Sequence, residues 1–207
     1  MALTLLILLS VASLLLGLYP LPILFTAIII SIIAPFFDVP SMKKSGRLVY
    51  FSPFFLAEKE RNGVIRIHGG TLLDYVFVID RSLSARQRTT QIFISYIEGI
   101  LNLLESYQGH DLNKIKVRGT SYIINDRTAS MAGLRMVKTD IIQIILLIFN
   151  YPNLVVSHSL SKGRLSFPRI GNINTHEGTL GEVEKHRDSL VRLRTKLTSS
   201  RGLKNES

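Results

Sequence analysis

The chain has 207 residues, 46% of them hydrophobic and 19% charged, with a net charge of +10 and neither cysteine nor tryptophan. That length accommodates one ordinary domain plus a membrane segment. The absence of cysteine excludes disulfides, thiolate metal sites, cysteine nucleophiles and lipoprotein attachment. Every charged side chain lies at or after Asp38, so the basic excess belongs to the part of the chain beyond an apolar N-terminal run. Such a surface suits anionic partners such as phospholipid headgroups or nucleic acid, and the apolar run that precedes it favours lipid. Nucleic acid is disfavoured, because no zinc-finger, RNP-like or helix-turn-helix pattern is present.

Residues 2–37 carry no charge, a run nearly twice the roughly 20 residues a spanning helix needs. It is interrupted by Gly17-Leu18-Tyr19-Pro20-Leu21-Pro22, and two prolines beside a glycine favour a turn. The expectation is a transmembrane helical hairpin over 1–37, with arms at 3–16 and 23–34, crossing twice or re-entrant. The alternative is a cleaved signal peptide with Ser10-Val11-Ala12-Ser13 as its small-residue site, although no basic residue precedes the run. Lys43, Lys44 and Arg47 form a basic juxtamembrane linker over 38–47. By the positive-inside rule this expects the membrane as location, with the domain beyond the linker on its cytoplasmic face.

The domain is expected over 48–198. Residues 47–51 and 64–68 read as strands separated by an Asn62-Gly63 turn, and 72–79 reads as a buried strand. Ser84-x-x-Gln87 has capping-box form and opens a long helix with Phe93, Tyr96, Ile97, Ile100, Leu104 and Tyr107 at helical spacing. Residues 116–124 read as a strand, followed by a short helix capped at Asn125-Asp126 and stopped by Gly133. Residues 141–149, with only Gln143 polar, form a buried helix or strand that is too short to span. Residues 155–156 and 164–167 read as strands about a Lys162-Gly163 turn. Thr179-x-x-Glu182 opens an amphipathic basic helix over 179–198, and 199–207 reads as a disordered tail. The fold class is α+β: a mixed or antiparallel sheet with a long core helix and a basic C-terminal amphipathic helix.

Few residues carry chemistry. His68-Gly69-Gly70 is a place where glycine lets backbone N–H groups approach an oxyanion, but no Gly-x-Ser-x-Gly accompanies it, and a glycine-rich turn between two strands is the favoured reading. No histidine pair has metal-ligand spacing, so no metal is expected. Glu98, beside the apolar face of the long helix, is a candidate general base. Arg86 and Arg88 flank a helix N-terminus, where unpaired N–H groups favour a phosphate. Lys43, Lys44 and Arg47, together with Arg192, Arg194 and Lys196 on the last helix, are the candidate contacts for anionic lipid or a partner.

Residues 72–140 run in a recognisable order: strand, arginine-containing turn, long helix, strand ending near Asn125, short helix, then Ala132-Gly133-Leu134. This order resembles the C-terminal half of GNAT-type acyltransferases. The resemblance implies an acyl-coenzyme A pyrophosphate near Arg86 and Arg88, with Glu98 or His68 as base. The stretch 81–90 departs from the family's loop in having no glycine, and Leu134 stands where the family has Phe. With no complete catalytic constellation visible, the leading expectation is a non-enzymatic subunit without cofactor. It holds a basic domain at the cytoplasmic membrane face as a structural or interaction module. The alternative is an acyltransferase-like enzyme acting on a membrane or envelope substrate, with coenzyme A as cofactor.

Overall fold

The computed structural model describes residues 11–13, 15–17, 20–121, 124, 126–169, 171 and 173–202. Helix α1 (Pro20–Lys44) leads into the sheet. It is long and apolar enough to cross a membrane, and none of its apolar window is buried within the protein. Most of the first arm of the expected hairpin lies outside the described residues, so a hairpin is not shown. The second arm is about twice the expected length. Pro20 and Pro22 sit in its first turn, where a missing N–H costs nothing, and Pro35 and Pro40 lie inside it. The helix carries through Lys44, so most of the expected linker at 38–47 is helical.

The sheet has six strands: β1 (Leu48–Ser52), β2 (Phe55–Glu58), β3 (Val64–Gly69), β4 (Lys116–Ser121), β5 (Arg135–Val137) and β6 (Asn174–Thr179). Their spatial order is β1-β2-β3-β4-β6-β5. Among the described residues, only β3 and β4 are parallel, with Ile67 beside Gly119, and the other pairs are antiparallel. The expected mixed sheet is therefore present.

The residues expected as a strand at 72–79 instead form α2 (Leu72–Phe77). The Asp74 carboxylate accepts from the Thr71 N–H at 2.6 Å and from the Thr71 hydroxyl at 2.9 Å. This local hydrogen bonding starts a helix before the apolar run can extend. The capping box at Ser84 opens α3 (Ala85–Ser106) as expected. α3 is buried on more than one face, because the sheet and two later helices, α6 (Tyr151–Lys162) and α8 (Arg187–Gly202), all pack against it. Gly99 lets it lie directly on Phe55.

After β4 come α4 (Asp126–Met131), stopped at Gly133 with φ +74°, then β5, then α5 (Ile141–Phe149), capped by Asp140. Asn125 lies outside the described residues. The expected strand at 155–156 is instead part of α6, which has Pro152 in its first turn and left-handed Gly163 as its C-cap. These start and stop signals outweigh the strand preference of Val155 and Val156. Residues 164–167 form no strand. The terminal helix is interrupted at His186 into α7 (Leu180–Lys185) and α8. It continues past Ser199, where a tail was expected.

The elements build two layers around the sheet. On one sheet face, Phe55, Ala57, Ile65, Ile67 and Val117 pack with α3 and with Leu190 of α8. The other face, at the ends of β3 and β4, meets α1, α5 and α6.

Candidate functional site

Side chains alternate across a strand. Ile65 and Ile67 enter the α3 core, and His68 therefore stands on the opposite face of β3. Leu56 is paired opposite His68, so Glu58, two residues on, shares that face. The His68 imidazole Nε2 lies 2.9 Å from the Glu58 carboxylate, with the Arg66 guanidinium 3.7 Å from the same group. The hydrogen bond from His68 holds the Glu58 carboxyl below its ordinary value, against the opposing pull of burial.

This pair borders a cavity of about 430 Å3 at the C-terminal ends of the parallel strands. The crevice lies between this face of the sheet and helices α1, α5 and α6. The sheet side supplies Leu56, Glu58, His68, Thr120 and Ser121, while the opposite wall is Pro35, Val39 and Met42 of α1 with Leu147 of α5 and Leu154 of α6. Polar groups alternate with the apolar ones: Gln143, Asn150, Asn153 and Ser157 on the helices, Tyr96 from α3, and Thr71 and Tyr75 at the start of α2. That composition is usual for pockets that take small amphipathic ligands. A smaller void of about 30 Å3 beside it shares His68, Tyr96, Thr120 and Ser121 and adds Gly119 and His176.

The glycines after His68 have a packing role. A Cβ on Gly69 would collide with the Tyr96 hydroxyl, and one on Gly70 would sit 2.7 Å from Phe54. The pair permits close approach of two aromatic rings at the cavity rim. His176 is buried on the α3 side and meets the Asp126 carboxylate at 3.0 Å. Its neighbour Glu177 faces the other way, toward Arg118 and Lys116.

Of the motifs singled out in the sequence, His68-Gly69-Gly70 borders the cavity. Glu98 is half-buried on α3, and Arg86 is exposed; neither is part of the lining. Arg88 is engaged structurally. It donates to the carbonyls of Leu83 at 2.9 Å, Leu160 at 2.7 Å and Arg81 at 2.6 Å. It thereby ties the start of α3 to the carbonyl end of α6, where a cation is favoured. The open groove beside Arg88 shares no lining residue with the cavity.

Lys43, Lys44 and Arg47 are exposed at the end of α1, with the Lys43 ammonium 5.3 Å from the Tyr50 ring centre. On α8, Leu190 is buried, with Val191, Leu193 and Leu197 packed against the core. Arg192 and Lys196 face outward and Arg194 is half-buried. Glu58 and Asn153 carry no functional signal in the sequence. Glu58 sits in a charged run that reads as a turn, and Asn153 gains its role only by meeting α1. Among the described residues, no group of three or more His, Asp or Glu side chains is placed to hold a metal ion. Comparison of the chain with protein-family models, with curated proteins and with solved structures gives no match.

Proposed function

We propose that this chain is a membrane-anchored binding module. Helix α1 holds the basic domain at the cytoplasmic membrane face, and the cavity at the ends of β3 and β4 takes an amphipathic ligand. One observation carries this reading: the apolar helix that would anchor the chain also forms a cavity wall, through Pro35, Val39 and Met42. A ligand there meets apolar helix surface on one side and His68, Glu58 and Thr120 on the other. The basic residues ending α1 support the cytoplasmic orientation.

The test is binding of a spin-labelled fatty acid to the full chain in detergent micelles. Leu147→Trp should fill the cavity and abolish the immobilised signal, and Leu165→Trp, at an exposed position, should leave it. Immobilisation that survives Leu147→Trp counts against the cavity as the site.

A second reading, acyl transfer, is favoured by the His68–Glu58 pair. A histidine held by a carboxylate can take a proton from an attacking hydroxyl or amine. The resemblance to GNAT-type acyltransferases also has a counterpart in the long helix joining β3 to β4, although β3 rather than 72–79 supplies the leading strand. Against it, Arg88 is spent on three carbonyls and the cavity does not reach the start of α3. Calorimetry of acyl-coenzyme A with the full chain separates the two readings. Saturable binding that survives moderate salt favours the enzyme, and its absence leaves the binding module.

A further inference from the structure

Helix α5 is nine residues long, and eight of them are apolar. None is buried. Ile141, Ile142, Leu146 and Phe149 are each more than half exposed. A helix that is apolar all round is stable only inside a protein core or in lipid, and a patch of this kind is uncommon on surfaces that face water. α5 and α6 meet at a bend of 64°.

The bend touches α1 at a defined depth. The Ser31 hydroxyl donates to the Phe149 carbonyl at 2.7 Å, and the Asn153 amide donates to the Ser31 carbonyl at 2.7 Å and to Asn150 Oδ1 at 2.6 Å. Ser31 lies seven residues before Asp38, the first charge in the chain, which is about 10 Å along a helix. The other end of α5 begins at Asp140, beside Thr139, whose hydroxyl meets that of Thr175 on the sheet at 2.9 Å. α5 thus runs from the polar body of the domain to a point well inside the apolar length of α1. Its own length of roughly 14 Å is about the depth of one leaflet.

We infer that α5 and the first turn of α6 form a re-entrant element inserted into one leaflet beside α1, with the exposed face of α5 covered by lipid acyl chains. This rests on α1 being in the membrane. The occupant is lipid because the Phe149 end of α5 is hydrogen-bonded to Ser31, within the exposed apolar length of α1. The bend also meets the rule for non-helical backbone at membrane depth. Such backbone must find its partners within protein, and here the end carbonyl of α5 accepts from Ser31 while the Asn153 N–H group donates to the Ser31 carbonyl and to Asn150.

The chain has no tryptophan, so single tryptophans report depth without background. The experiment places one at Ile142, Phe149, Ile30 or Tyr107 of the full chain in phosphatidylcholine–phosphatidylglycerol vesicles. It measures quenching by lipids brominated at defined acyl positions and by iodide present on both sides. Ile30→Trp should be quenched by bromolipid and shielded from iodide, and Tyr107→Trp the reverse. Phe149→Trp should behave like Ile30→Trp, with Ile142→Trp quenched by bromines nearer the headgroup. Equal shallow depth for Ile142 and Phe149 means a helix lying on the surface and overturns the inference. Iodide quenching at Phe149, or shielding there from both quenchers by a second copy or another protein, also overturns it. Failure at Ile30 itself removes the membrane reading beneath it.

Discussion

Asn153 donates its side-chain N–H to the Ser31 carbonyl at 2.7 Å across 122 positions of sequence. Ser31 is four residues before Pro35, and proline has no N–H to give to the carbonyl one turn back. Asn153 therefore supplies the donor that α1 lacks.

Asn153→Ala should lower stability by about 1 kcal/mol, the usual worth of such a bond between helices. Pro35→Ala restores the backbone donor to Ser31, so Asn153→Ala should cost much less in that background. The double-mutant cycle is read from thermal unfolding of the full chain in detergent. Equal losses in both backgrounds would show that Asn153 does not stand in for the missing N–H.

Gly99→Ala should destabilise the domain by about 1–3 kcal/mol, because the added methyl enters the Phe55 side chain in a closed core. Glu98→Ala, one position away and half-buried, should change stability by no more than about 0.5 kcal/mol. Denaturant midpoints of the two variants give the comparison, and a tolerated Gly99→Ala would mean that α3 can move off β2.

Two carboxyls pull stability in opposite directions with pH. Glu58 is held below its ordinary value of 4.5 chiefly by the His68 hydrogen bond. Its contribution is complete above 4.5 and is lost as pH falls through its lower folded-state value. His68→Gln should flatten that acid-side loss. Asp74 is raised from 3.8 by burial, against hydrogen bonds from Thr71 and Tyr50. Its ionisation costs folding as pH rises from 3.8 through its folded-state value, so Asp74→Asn should remove a loss on that rising side. Denaturant midpoints across this range for the parent and both variants check each sign.

Replacing Lys43, Lys44 and Arg47 with Gln should shift the domain from one membrane orientation to a mixture, because basic residues next to a span set its direction. The same change at Arg192, Arg194 and Lys196 should leave orientation alone, since α8 packs on the core through Leu190 and Leu193, far along the chain from α1. Protease access to the domain in right-side-out and inverted vesicles reads the fraction. Unchanged orientation in the first variant would remove the case for a cytoplasmic face.

Local signals in the sequence locate element ends well where they act within four residues. Ser84 with Gln87, Thr179 with Glu182, and Asp140 before Ile142 cap as their spacing predicts. The same kind of signal at Thr71 and Asp74 is masked by the apolar run 75–79, whose residue types favour a strand. β6 is invisible in the sequence for a different reason. Asn174-Thr175-His176-Glu177-Gly178-Thr179 contains no apolar side chain, yet it lies between β4 and β5. Its inward groups are satisfied by partners from elsewhere: Thr175 by Thr120 and Thr139, and His176 by Asp126.

By itself, the order of residues determined the apolar helix, the basic cluster at its end and most helix caps, because those depend on composition or on hydrogen bonds within one turn. Only the tertiary structure decided that His68 faces Glu58, that Arg88 is used as a clamp, and that α5 stays exposed and meets α1 at Phe149 rather than entering the core. These outcomes depend on which surfaces meet across tens of residues, and no local spacing encodes that choice.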